Sequence, residues 1–273
     1  MRTSNGSFQI FRLFGITVYL HWSWLVYAAW RIYASTNSAF QHYRNPVWYA
    51  VEFGSIFAIV LMHEFGHSLA CRSVGGHADT IMLWPLGGVA FVDPPMRPGA
   101  VLWSIFAGPM VNMILIPITV FGYALIDRTA PGTDLAAYAW SITVINAVLL
   151  IFNMLPIYPL DGGQILQSLL WFVLGYIRSL KIVSIIGLLG AAGGTIFLLA
   201  NGVTGIMLYI LIMFVALQAW NGFRRAQMMA DAEQRGPHIN PGRPTERANP
   251  ASSPPPLRPL PPRQDQFRAP PGF

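Results

Sequence analysis

Two histidines and a glutamate with the spacing His-Glu-x-x-His stand inside an apolar run, IVLMHEFGHSLA, at residues 59–70. His63 and His67 are four residues apart, so on a helix both imidazoles lie on one face and can bind the same Zn²⁺. Glu64 lies about 100° around the helix from His63, where it can take a proton from water without being a ligand. The pattern therefore predicts hydrolysis, with zinc lowering the pKa of water to about 7 and Glu64 acting as general base.

A catalytic zinc also needs a third protein ligand and an open position. Asp161 is the favoured candidate, because in LPIYPLDGG two prolines break the end of a helix and the Gly-Gly pair allows a close turn. Asp79, Asp93 and His77 could reach the same side and stay open as alternatives.

The composition is that of an integral membrane protein. Of the 273 residues 54% are hydrophobic and 10% charged, against about 25% charged in soluble domains. Carboxylates at membrane depth are costly and are functional candidates, which applies to Glu64 and Asp161. Glu52 lies three turns before His63 and is expected to make a polar contact inside the helix bundle instead.

Six membrane spans are predicted, each near the roughly 20 residues that a bilayer requires. They cover residues 17–34, 48–72, 100–126, 136–157, 181–200 and 203–223, and residues 162–178 are predicted to be a shorter, interfacial helix. Residues 76–93 mix β-prone residues with Gly-Gly and Pro, which predicts a hairpin. The expected fold is an all-α polytopic membrane protein with a small membrane-associated β-hairpin after the second span.

The distribution of arginine predicts the orientation of the chain. With six spans both termini share a side, and the excess of basic residues places that side in the cytoplasm of a cell (plasma or inner) membrane. Residues 63–67 and Asp161 then both lie toward the cytoplasmic side. The basic balance, a formal charge of +6, does not indicate nucleic acid binding, because the arginines are spread over loops and the tail.

Two domains are expected. Residues 1–235 form the membrane domain, and residues 236–273, with 12 of the 22 prolines, form a disordered Pro/Arg-rich tail. PxxP spacing in PPPLRPLPPR would allow a tail-binding partner of the SH3 type, although a solvated basic tail is the favoured interpretation.

Four motifs resemble the site-2 protease family of intramembrane metalloproteases, in a short form without PDZ or CBS domains. They are HEFGH at 63–67, PLGGVA at 85–90, GPMVN at 108–112 and NMLPIYPLDG at 153–162.

The resemblance implies that His63, His67 and Asp161 bind one zinc ion per chain and that Glu64 activates water. It also implies that Asn153 contacts the substrate backbone and that the hairpin over 76–92 holds the substrate extended. Gly87 and Gly88 would permit close backbone approach there.

The expected function is that of a zinc-dependent intramembrane endopeptidase. It would cleave a membrane-spanning protein substrate within the lipid bilayer, in or near its transmembrane segment, and so release a cytoplasmic regulatory domain. The alternative is a membrane metal transporter that uses the same His/His/Asp site. A non-catalytic scaffold and a zinc protease acting at the membrane surface are further rivals.

Overall fold

The computed structural model describes residues 6–36, 42–84 and 87–235. The predicted tail, 236–273, and residues 85 and 86 of the PLGGVA motif lie outside this part of the chain. The described ranges contain the strands β1 (Ser7–Leu13), β2 (Ile16–His21), β3 (His77–Trp84) and β4 (Gly87–Asp93). The helices there are α1 (Trp22–Thr36), α2 (Val47–Ser73), α3 (Pro98–Thr129), α4 (Asp134–Asn153), α5 (Asp161–Leu174), α6 (Tyr176–Ala200) and α7 (Ile206–Arg235).

Four helices of the described ranges, α2, α3, α4 and α6, are long and apolar enough to cross a membrane by length and composition. The first predicted span is wrong in its first part, because residues 17–21 belong to β2 and the helix begins only at Trp22. Side chains of β2 alternate between buried and half-buried, the period of a strand, and its β-branched residues favour that conformation. The remaining helix, α1, has 15 residues.

The strands form one sheet in the order β1-β2-β3-β4. β3 and β4 pair antiparallel, as the 76–93 segment predicted, but β3 also pairs in parallel with β2, which pairs antiparallel with β1. The fold is therefore mostly helical with a small four-stranded sheet, and the all-α assignment was wrong on this point. β4 is an edge strand, so one row of its backbone groups is not used within the sheet.

The sheet packs against α2. Its buried core residues come from β2, β3 and the start of α1, and they are Ile16, Val18, Leu20, Trp24, Ile81 and Leu83. Phe53, Phe57 and Phe65 of α2 cover them. Because aromatic and branched residues fill this contact, the sheet is held against the helix that carries the HEFGH motif.

Helices α2 and α4 begin side by side. The side chain of Asp134, the first residue of α4, accepts backbone N–H bonds from Arg44 (2.9 Å) and Asn45 (2.8 Å), just before α2. Further along, Glu52 of α2 accepts hydrogen bonds from Ser141 of α4 (2.8 Å) and from the Tyr43 hydroxyl. The polar contact predicted for Glu52 is thus present, and it ties α2 to α4.

Three helix boundaries near Asp161 differ from the prediction. Helix α4 ends at Asn153 rather than 157, and α5 starts at Asp161 itself. Gly175, with φ +80°, separates α5 from α6, which starts five residues earlier than expected. Only glycine adopts this φ without strain, so the chain turns there between two helices.

Candidate metal centre

Helix α3 lies close against α2 at the HEFGH motif. A Cβ atom on Gly66 would lie 2.6 Å from the carbonyl oxygen of Ala107, so the glycine permits this approach of the two backbones. Three residues of α3 spaced by four, Ser104, Gly108 and Asn112, lie on the face that meets the histidines.

Each histidine is oriented through its Nδ1 atom. His63 Nδ1 lies 2.6 Å from Asn112 Oδ1, and His67 Nδ1 lies 2.9 Å from the carbonyl oxygen of Ser104. Both rings therefore direct Nε2 to the same place, and the two Nε2 atoms are 3.1 Å apart. Both side chains are buried.

Asp161 completes the group from the other side. Its Oδ2 atom lies 3.1 Å from His63 Nε2 and 3.5 Å from His67 Nε2. Oδ2 is buried and has no hydrogen-bond partner in the described structure. A buried carboxylate oxygen without a partner is costly unless it binds something, such as a cation.

The glycines after Asp161 allow the segment 154–160 to fold back onto α5. A Cβ atom on Gly162 would lie 2.3 Å from the Met154 carbonyl oxygen, and one on Gly163 would lie 2.4 Å from the Tyr158 amide nitrogen. No larger residue fits at either position, so the LDGG sequence is what allows Asp161 to begin the helix at this point.

Helices α6 and α7 pack against the segment 154–160 at Tyr158. A Cβ atom on Gly187 of α6 would lie 2.7 Å from the Tyr158 carbonyl oxygen, and one on Gly222 of α7 would lie 3.0 Å from Cε1 of Tyr158. The run GLLGAAGG, at 187–194, thus serves a contact within the chain, because its first glycine seats the segment that presents Asp161.

The donor atoms of His63, His67 and Asp161 fit zinc. In a tetrahedral site with ligand distances of 2.0–2.1 Å, the ligand atoms are about 3.3 Å apart. The three separations here are 3.1, 3.1 and 3.5 Å. Two imidazole nitrogens and one carboxylate oxygen are also the donor set of known catalytic zinc sites. Among the described residues, these three form a group that could hold a metal ion.

The alternative third ligands are not brought to this group. Asp79 pairs with Arg72 at 3.1 Å and is largely exposed. His77 and Asp93 lie at opposite positions of β3 and β4, and neither belongs to the group.

Glu64 is covered by the edge strand of the sheet. Its Oε2 atom accepts a hydrogen bond from the backbone N–H of Ala90 (2.8 Å). A Cβ atom on Gly88 would lie only 2.4 Å from Cγ of Glu64, so glycine is needed where β4 crosses the carboxylate. A Cβ atom on Gly87 would meet no atom within 4 Å, and Gly87 has φ +141°, so its part in the site is conformational.

Asn153 is the last residue of α4 and is half-buried. Its side chain makes no hydrogen bond with the part of the chain that the structure describes, so its amide is available to another molecule.

Sequence reasoning did not assign a role to the residues behind the histidines. Ser104 and Asn112 hold the two rings, and Asn112 is in turn held by Asn146 of α4. The GPMVN motif could have indicated this role. Gly108 and Asn112 are one helical turn apart and Ser104 is one turn earlier, so all three lie on one face of the helix.

Comparison with known proteins finds relatives among zinc metalloproteases, in agreement with the geometry of the three donor atoms. The model of peptidase family M50 matches residues 117–199. A zinc metalloprotease of Methanocaldococcus jannaschii is 32% identical over 183 residues, which cover 67% of this chain and 51% of that protein. Rip3 of Mycobacterium tuberculosis, assigned as a zinc metalloprotease, is 27% identical over 85% of this chain and 64% of its own.

A solved structure is also similar. The site-2 protease from Methanocaldococcus jannaschii superimposes with a TM-score of 0.56 at 29% identity, over 80% of this chain and 95% of that one. The chain spans about half the length of the first curated relative and 64% of the second.

Proposed function

Since the chain belongs to peptidase family M50, the site-2 protease family, we propose that it is a zinc-dependent endopeptidase. Its substrate would be a membrane-tethered protein, cleaved within or near the transmembrane segment. One observation carries the proposal. The donor atoms of His63, His67 and Asp161 lie 3.1–3.5 Å from one another, and Glu64 follows His63 on the same helix.

The residues of the chain have distinct roles in this reaction. His63, His67 and Asp161 would hold zinc, which supplies Lewis-acid activation of water and of the scissile carbonyl. Glu64 would take a proton from the attacking water and pass it to the leaving amine. The N–H of Ala90 keeps the Glu64 carboxylate in one orientation, which limits the reorganisation needed at the moment of proton transfer.

Substrate binding would use Asn153 and β4. A transmembrane helix hides its carbonyls in its own hydrogen bonds, so it must unwind before cleavage. The edge strand β4 can offer backbone hydrogen bonds to an extended segment, and Gly87 and Gly88 would let that segment approach closely. The amide of Asn153 would also bind the backbone of that segment.

We also propose the six-span arrangement, with α1 and α7 added to the four long apolar helices. α7, with 30 residues, reaches about 45 Å and is long enough to span. Both termini would be cytoplasmic, and cleavage on that side would release a cytoplasmic regulatory domain. Reporter fusions at each loop test the topology, and an extracytoplasmic N-terminus would contradict it.

The activity is tested by co-expression with tagged single-span candidate substrates. Wild type should cleave at least one of them, and Glu64→Gln should not, because the amide cannot take the proton. Glu52→Gln is the matched control, since it makes the same change on the same helix about 18 Å away. Cleavage that persists in Glu64→Gln would rule out the proposed base.

The metal-transport alternative predicts a different outcome. Reconstituted vesicles would take up Zn²⁺ in wild type and lose uptake in His63→Ala. No observation favours this function, because the structure contains one metal-binding group among its described residues, and that group lies beside Glu64 rather than along a series of sites.

A further inference from the structure

The polar residues behind His63 form a chain of hydrogen bonds that ends on a backbone carbonyl. His63 Nδ1 lies 2.6 Å from Asn112 Oδ1, and Asn112 Nδ2 donates to Asn146 Oδ1 at 2.7 Å. Asn146 Nδ2 in turn donates to the backbone oxygen of Asn112 at 3.1 Å. Asn112 and Asn146 are 1% and 0% exposed, so water does not compete for these groups.

The direction of every bond in this chain follows from its last member. A backbone carbonyl only accepts, so the atom of Asn146 that faces it must be the NH₂ group. Oδ1 of Asn146 then faces Asn112, which must donate its own NH₂. The oxygen of Asn112 is left to face His63, so Nδ1 of His63 carries the proton and Nε2 carries the lone pair.

The two histidines differ in what decides their tautomer. His67 Nδ1 faces the carbonyl oxygen of Ser104, which can only accept a hydrogen bond. His63 meets a side-chain amide, which can present either an oxygen or an NH₂ group after rotation. If Asn112 rotated, its NH₂ group would require an unprotonated Nδ1, and the proton on Nε2 would then prevent metal binding.

We propose that Asn146 is a positioning residue that prevents this rotation and so keeps His63 in the metal-binding tautomer. Among the described residues the side chain of Asn146 hydrogen-bonds to Asn112, and it would act on His63 through Asn112. The inference rests on the proposed zinc site, in which Nε2 of His63 is a ligand. It gives a function to a buried amide in the middle of an apolar helix, where an unpaired polar group would be destabilising.

Zinc affinity provides the first test, measured on the full-length protein in detergent by competition with a chromophoric chelator. Asn146→Leu should weaken binding about 10-fold, within the range found when residues that orient ligands are changed. Asn146→Asp should bind like wild type, because a protonated carboxyl both donates to the Asn112 carbonyl and accepts from its amide. Thr143→Val is the control, since it removes a buried hydroxyl one turn away whose bond stays within α4.

A double-mutant cycle separates orientation from packing. In Asn112→Asp the carboxyl faces the N–H of His63, which favours its ionised form, and both oxygens of the carboxylate accept, so His63 Nδ1 stays protonated whichever way the side chain rotates. Asn146→Leu should therefore not weaken zinc binding in the Asn112→Asp background. An equal loss in both backgrounds would show that Asn146 acts by packing alone and would overturn the proposal.

The metal-free protein gives a readout that does not depend on zinc. Nitrogen NMR of labelled histidine, assigned with a His63→Gln variant among the six histidines, distinguishes the two tautomers at alkaline pH. In wild type His63 should be protonated on Nδ1, and in Asn146→Leu it should be a mixture of the two tautomers. A single unchanged tautomer in Asn146→Leu would overturn the inference.

If Asn146→Leu does not fold, Asn146→Ser is measured in the same way. Failure of wild type to bind zinc would instead contradict the proposed function.

Discussion

Gly108 and His67 are in such close contact that a Cβ atom on the glycine would lie 2.2 Å from Nε2 of the histidine. No real Cβ atom approaches a nitrogen so closely, so the imidazole occupies space that only glycine leaves free. On the other side of the ring, Nδ1 is held by the Ser104 carbonyl. The position of His67 is therefore set by α3 as much as by its own helix.

Gly108→Ala should displace His67 and lower zinc affinity by about 10-fold or more, as expected when the support of a ligand is altered. The measurement is chelator competition on purified protein. Gly122→Ala, in the same helix with nothing within 4 Å, should leave affinity unchanged. Equal zinc binding by both variants would mean that the observed contact is not required.

Asp161→Ala should remove the thermal stabilisation that zinc provides. A ligand at 100 times its Kd stabilises the folded state by about 2.7 kcal/mol, so chelated wild type should regain a higher Tm when zinc is added. Asp79→Ala is the control, because Asp79 is exposed and pairs with Arg72. A zinc-dependent rise in Tm that survives Asp161→Ala, but not Asp79→Ala, would reassign the third ligand.

Gly88→Ala should reduce cleavage while zinc stays bound. The added methyl group would lie 2.4 Å from Cγ of Glu64, so the carboxylate or β4 must shift. Misplacement of a reacting group by about 1 Å can lower the rate about 100-fold. Val89→Ala, whose side chain is 48% exposed, is the control in the same strand. Loss of zinc together with activity would place the effect on the metal site rather than on Glu64.

Gly187→Ala tests the support beneath Tyr158. The new Cβ atom would lie 2.7 Å from the Tyr158 carbonyl oxygen, so the segment that presents Asp161 must move. We expect weaker zinc binding although Asp161 itself is intact. Gly193→Ala lies in the same helix with open space around it and should gain rather than lose stability, because alanine favours helix by about 1 kcal/mol. Unchanged zinc affinity in Gly187→Ala would show that Asp161 is positioned without α6.

The sequence predicted best those features that depend on residues close together along the chain. The spacing of His63 and His67 and the apolar runs around them predicted the helix, its shared face and the class of metal site, because these depend on helical geometry and composition. The strand Ile16–His21 was mistaken for the start of a span, since apolar residues favour both structures and only pairing with β3 decides between them.

Two features of the site depended on tertiary contacts. Asp161 was favoured as third ligand, but the choice against Asp79 required the contact of Tyr158 with Gly187 and the ion pair of Asp79 with Arg72. The position of β4 over Glu64 likewise depends on the packing of the whole sheet on α2.

The sequence by itself determined the membrane class, the paired histidines on one helical turn and the carboxylate beside them. Only the tertiary structure decided which nitrogen of each histidine faces the metal group and which carboxylate completes it. The physical reason is that a hydrogen bond or a ligand geometry tolerates errors of only a few tenths of an ångström. Such distances between Asn112, Asn146 and His63 are set by the packing of three helices, and no spacing along a single helix encodes them.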